Sequence, residues 1–133
     1  MDARITQQII LIIEDIETIS LTLKDYLISA GFRVFIANDG MEGIFQVRNL
    51  QPDLILMDIE MPIMDGFEVS NIIHSEQELR HIPIIAMTAL ALPLVREQCR
   101  AAGMAEYISK PVILKDVLVL IRRLLDAAEA RGK

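Results

Sequence analysis

Ile9-Ile10-Leu11-Ile12-Ile13-Glu14-Asp15 is an unbroken run of five aliphatic residues closed by two acids, and its reading decides the fold. A strand with one wet face alternates apolar and polar side chains, whereas a continuous aliphatic run suits a strand covered on both faces, as in parallel sheets between helical layers. Comparable runs recur at Phe32–Ala37, Leu54–Met57 and Ile84–Met87, and more weakly at Tyr107-Ile108. Helical spacing follows each of them. Over Glu17–Ser29 the residues Ile16, Ile19, Leu23 and Leu27 form one apolar stripe, and Gly31 supplies a stop. Similar segments lie at Met41–Leu50, Gly66–Ser75, Leu92–Ala102 and Leu114–Ala130. The alternation predicts an α/β fold, (βα)5, a doubly wound five-stranded parallel sheet of order 2-1-3-4-5 with helices on both faces.

At 133 residues, 53% hydrophobic and 24% charged, the chain is expected to be a single domain, residues 1–133 with a core of about 8–128, frayed over residues 1–8 and after Glu129 and carrying no output domain. With 6 Gly, 5 Pro and the lone Cys99, collagen-like and disulfide-stapled folds are excluded. A net charge of −6, from 13 basic and 19 acidic residues, argues against direct binding to nucleic acid. The longest uncharged stretch, Ile82–Val95, is short of the roughly 20 apolar residues a membrane span needs, and Pro83, Thr88 and Pro93 interrupt it. No membrane insertion is expected. An acid at Asp2 and the want of a small-residue cleavage site after Ile9–Ile13 argue against a secretory signal, so the expected location is cytoplasmic.

Polar residues gather at the carboxyl ends of the strands: Glu14-Asp15 after the first, Asp58 after the third, Thr88 after the fourth and Lys110 after the fifth. Open doubly wound sheets bind ligands beyond those ends, at the switch point between strands 1 and 3. Three acids in one crevice repel unless a cation lies among them, and hard oxygen ligands select Mg²⁺ or a similar ion. The Thr88 hydroxyl and the Lys110 ammonium add groups that neutralise a tetrahedral anion, as phosphoryl transfer requires. A carboxylate nucleophile then gives an aspartyl-phosphate.

From Ile9–Asp15 through Leu-Ile-Leu-Met-Asp58-Ile-Glu-Met-Pro62-Ile-Met-Asp65-Gly66, Met-Thr88-Ala89 and Tyr107-Ile-Ser-Lys110-Pro111, the chain resembles the receiver (CheY-like) domain of two-component response regulators, a flavodoxin-like fold. The resemblance implies a signalling domain, not an enzyme beyond its own aspartyl phosphorylation and slow dephosphorylation. It implies that Asp58 accepts a phosphoryl group from a histidine kinase or histidine phosphotransfer protein. Asp15 and Asp58 would ligate Mg²⁺ by side chains, Glu60 by its backbone carbonyl, and Glu14 through water. Lys110, Thr88 and the Ala89 amide would contact the phosphoryl oxygens. Movement of Thr88 would let Tyr107 turn inward, switching the surface of helix 4, strand 5 and helix 5 toward a downstream protein target. An alternative is a phosphate-independent interaction module of the same fold. A haloacid-dehalogenase-type hydrolase would want Asp-x-Asp near the N-terminus, and Asp58-Ile59-Glu60 is mid-chain.

Simpler readings stand beside these. Asp15 could cap the first helix, Asp58 fill a turn, Thr88 be an ordinary strand residue, Lys110 a solvated cation and Tyr107 a core aromatic. Asp39, after strand 2, reads as a helix cap. Pro111 fits either a cis Lys-Pro bond, as the resemblance suggests, or a helix start. Gly66 either serves a positive φ or eases helix entry. His74 and His81 lack ligand spacing, and Cys99 reads as a buried thiol. Leu21 and Ile28 fall off the stripe of the first helix, forming either a candidate strip for docking the donor's helices or side packing against the fifth helix. Apolar Leu92, Leu94, Val117 and Leu120 give helices 4 and 5 material for a homodimer contact.

Overall fold

The computed structural model describes residues 7–132, and its elements alternate throughout: β1 (Ile9–Ile13), α1 (Glu17–Ser29), β2 (Arg33–Ala37), α2 (Gly40–Leu50), β3 (Leu54–Asp58), α3 (Gly66–Ser75), β4 (Ile84–Thr88), α4 (Pro93–Ala101), β5 (Glu106–Ser109) and α5 (Leu114–Gly132). The strands form one sheet in the order β2-β1-β3-β4-β5, every pair parallel.

The absence of alternation in β1, β3 and β4 has a direct cause. Leu11, Ile13, Ile55, Met57, Ile84 and Ala86 point to one layer, where they pack with Ile44, Val47, Val69, Ile73 and Cys99 of α2, α3 and α4. Their neighbours Ile10, Ile12, Leu54, Leu56, Ile85 and Met87 point to the other layer, against Leu23, Leu27, Val117, Ile121 and Leu125 of α1 and α5. Successive strand residues feed opposite cores, so both parities must be apolar. Full burial of each Ile or Leu contributes about 1.5–3 kcal/mol, which fixes the register because a one-residue slip would exchange the layers.

Several boundaries differ from the sequence reading. Phe32 precedes β2, while β3 and β4 each run one residue further, to Asp58 and Thr88, so the two polar residues are themselves strand ends. Ile16 does not join the buried stripe of α1: it is the N-cap, in extended conformation, and is 47% exposed. Helical periodicity starts only after the cap, and the buried positions are Ser20, Leu23 and Leu27. The α5 helix continues to Gly132 instead of fraying after Glu129. Gln7 and Gln8 are tied down, the Gln7 amide nitrogen donating to Gly31 O and Arg33 N donating to Gln8 O, each at 3.0 Å. The rest of the expected N-terminal fraying, residues 1–6, lies outside the described residues. No helix among them is long and apolar enough to cross a membrane.

Candidate functional site

The carboxyl ends of β1, β3, β4 and β5 converge. Glu14, the residue after β1, is held by a bond from its own N–H to Ala37 O of β2 (3.0 Å), and its side chain accepts from Ile16 N at 3.1 Å. Glu14 and Asp58 are buried, at 0% and 1% exposure, while Asp15 faces solvent. Carboxylate oxygens of Glu14, Asp15 and Asp58 all lie within 4.8 Å of one another. Lys110 follows β5, anchored by its N–H to Thr88 O (2.7 Å), and the Lys110-Pro111 peptide is cis. Its Nζ lies 3.0 Å from Asp58 Oδ1 and 3.2 Å from Glu14 Oε1. Asp58 Oδ1 also accepts from Glu60 N at 3.0 Å.

Two buried carboxylates thus share one ammonium, and the exposed Asp15 carboxylate lies beside them. Burial pushes the Glu14 carboxyl up to about 7, and the Asp58 charge adds to this, against the bond from Ile16 N and the pull of Lys110. Burial also raises Asp58 above the ordinary carboxylate range, although Lys110 and the Glu60 amide oppose it. Burial alone would lower Lys110, but its bonds to Asp58 and Glu14 hold it above the usual lysine value. For Glu14 the folded chain therefore binds more protons than the unfolded chain between about pH 4.5 and 7. Stability is present below that window and is lost as pH rises through it. Metal-free protein is expected to lose about 2–3 kcal/mol of unfolding free energy from this group between pH 5 and 8. Urea unfolding of Glu14→Gln should give a flatter profile, and an unchanged slope would contradict the assignment.

Asp58 Oδ2 is buried without a hydrogen-bond partner, and Glu14 Oε1, also buried, has the Lys110 ammonium at 3.2 Å as its charge partner. An unsatisfied carboxylate oxygen this deep is costly, and a hard divalent cation is the ligand that satisfies it without adding bulk. The donor set, all oxygen with one exposed member, fits Mg²⁺.

Thr88, fully buried, follows Met87, the residue paired with Asp58 across the sheet. Its hydroxyl donates to Glu60 Oε2, Ala89 N donates to Glu60 Oε1 at 3.2 Å, and Leu90 N donates back to Thr88 Oγ1 at 2.9 Å. The sequence reading assigned Glu60 only a backbone role, and no periodicity could have shown where its side chain goes. Arg96 was missed as well. Tyr107 is half-buried on β5, its hydroxyl accepting from Arg96 Nε at 2.9 Å, with the guanidinium 4.9 Å from the ring centre. That bond sets Tyr107 apart from a plain core aromatic.

Among the simpler readings, Asp15 does not cap α1, whose N-cap Ile16 makes no side-chain bond. Asp39 does cap α2, accepting from Glu42 N at 2.8 Å, and stays outside the site. Gly66 has no positive φ; a Cβ there would stand 2.8 Å from Asp58 O and 2.9 Å from Ile59 Cα, so the requirement is close approach of α3 to the backbone carrying Asp58. Cys99 is buried, and Leu21 and Ile28 are both exposed. Of the helix 4 and 5 residues, Leu92 and Leu94 are exposed while Val117 lies in the core.

The family model for the response regulator receiver domain matches residues 10–122, and the chain belongs to this family. Polar-differentiation response regulator DivK of Brucella ovis is 36% identical over 119 residues, covering 90% of this chain and 97% of that relative. A CheY-like response regulator receiver domain protein of Methanospirillum hungatei superposes with a TM-score of 0.89 at 31% identity, covering 96% of this chain and 100% of that one. The receiver domain of a Pseudomonas aeruginosa sensor histidine kinase, solved with a magnesium ion coordinated in its active site cleft, gives a TM-score of 0.84 at 33% identity, covering 91% and 99%.

Proposed function

We propose that this receiver domain, a single unit over residues 1–133, accepts a phosphoryl group on Asp58 from a phosphohistidine donor, with Mg²⁺ held by Asp15 and Asp58 side chains, the Glu60 carbonyl and, through water, Glu14. The observation that carries the reading is the buried Asp58 carboxylate, set between Lys110 and Glu14 with one oxygen uncommitted. An Asp58 oxygen attacks phosphorus, the O–P bond forms as the P–N bond breaks, and the imidazole nitrogen leaves with the bond's electron pair. Bound Mg²⁺ supplies charge neutralisation for the transferred group. Lys110 orients Asp58 through Oδ1 and offsets negative charge on the phosphoryl oxygens. The Thr88 hydroxyl and the Ala89 N–H are the neutral donors available to those oxygens. Recruiting Thr88 to an added dianion biases the packing of Tyr107 and with it the surface of α4, β5 and α5, the face offered to a downstream protein. The location proposed for this exchange is the cytoplasm.

The donor is a histidine kinase or histidine phosphotransfer protein, docking on α1. Leu21 and Ile28 are exposed there, and Thr18, Ile19, Thr22, Pro111 and Val112 line a largely apolar cleft of about 330 Å³ that reaches Lys110. Transfer from the histidine-phosphorylated cognate partner is expected to fall at least about tenfold in the Leu21→Glu, Ile28→Glu double variant, the loss of ~1.4 kcal/mol of docking energy. Labelling by acetyl phosphate should persist. Unimpaired protein-to-protein transfer would remove α1 as the docking face, and no transfer to wild type from such partners would overturn the reading.

A further inference from the structure

We propose that the Glu60 carboxylate is a built-in occupant of the phosphoryl-oxygen site, holding the Thr88 hydroxyl and the Ala89 amide until the incoming group displaces it. The inference rests on the reading of Asp58 as phosphoacceptor. Two donors from the carboxyl end of β4 converge on one side chain, Thr88 Oγ1 on Oε2 and Ala89 N on Oε1 at 3.2 Å. A hydroxyl has one proton to donate, and here it is committed to Glu60. The acceptor side of Thr88 Oγ1 is fixed by Leu90 N at 2.9 Å, so the hydroxyl is aimed at the carboxylate by its own loop. Glu60 is therefore an anion bound where Thr88 and Ala89 would bind a phosphoryl oxygen, and the same donor pair serves one anion at a time.

Glu60 can be displaced without unfolding anything. It is exposed, in the loop between β3 and α3, and its backbone N–H stays on Asp58 Oδ1 at 3.0 Å whichever way the side chain points. Phosphorylation must break both bonds to the carboxylate and drive a like charge away, which slows the gain of the phosphoryl group and makes Thr88 available only once it has arrived. Glu60 is a positioning residue in this account: it touches the donors, not the reacting phosphorus.

The test is the rate of Asp58 phosphorylation by acetyl phosphate, followed by intact mass at saturating Mg²⁺, in wild type and Glu60→Ala, with the Ala89 amide resonance recorded in both unphosphorylated proteins. The variant should label about tenfold faster, a change of ~1.4 kcal/mol. Its Ala89 amide should lose the shift that a bound carboxylate imposes, an effect that a remote influence on stability or metal affinity would not produce. A rate equal to or below wild type, or an unmoved Ala89 resonance, overturns the proposal while Asp58 remains the acceptor. Wild type that takes no phosphoryl group overturns the reading beneath it.

Discussion

Replacing Lys110 by Met is expected to destabilise the metal-free protein by about 3–5 kcal/mol at pH 8, the range for removing one partner of a buried ion pair. Methionine keeps the length and most of the apolar contact, so the loss is electrostatic. Two carboxylates, Glu14 and Asp58, remain buried at 0% and 1% exposure with no cation against them. At pH 5 the loss should be much smaller. Glu14, already pushed up to about 7 with the ammonium present, is protonated there and carries no charge to bury. Its contribution is retained below its folded-state value and lost above it, so the penalty grows as pH rises. Denaturant unfolding at both pH values measures this directly. A small, pH-independent loss would mean that the carboxylates are solvated.

Gly66→Ala is expected to cost about 1–3 kcal/mol, as overpacking against atoms that cannot rotate away does. The added methyl meets Asp58 O at 2.8 Å and Ile59 Cα at 2.9 Å, both main-chain atoms, and the Gly66 N–H is bonded to Ile59 O at 3.0 Å. Relief requires α3 to lift from the end of β3, and the segment it displaces carries the Asp58 carboxylate and the Glu60 carbonyl. The same variant should therefore bind Mg²⁺ more weakly than wild type, by isothermal titration, in addition to melting earlier. Wild-type melting and Mg²⁺ affinity would show that the loop yields freely.

Both results depend on features of unequal visibility in the sequence. β1, β3 and β4 were legible because strands buried on both faces need apolar residues at every position, and Ile9–Ile13, Leu54–Met57 and Ile84–Met87 have them. The cluster of Glu14, Asp15, Asp58 and Lys110 was legible because a parallel sheet brings the carboxyl ends of its strands to one edge. Rotamers and loop paths leave no such mark. The reach of Glu60 to Thr88 and Ala89, and that of Arg96 to Tyr107, depend on how the β3–α3 loop and α4 settle on the sheet. Ile16 fits the apolar stripe in sequence, yet its extended backbone takes it out of helical register. Gly66 revealed that a side chain was unwelcome but not which backbone atom excluded it.

Intact mass after incubation with acetyl phosphate, with and without Mg²⁺, tests the central claim most directly, with Asp58→Asn in parallel. The account predicts one phosphoryl adduct that requires Mg²⁺ and is missing from Asp58→Asn. An adduct that persists in the variant, or none in folded wild type with Mg²⁺ present, would contradict it.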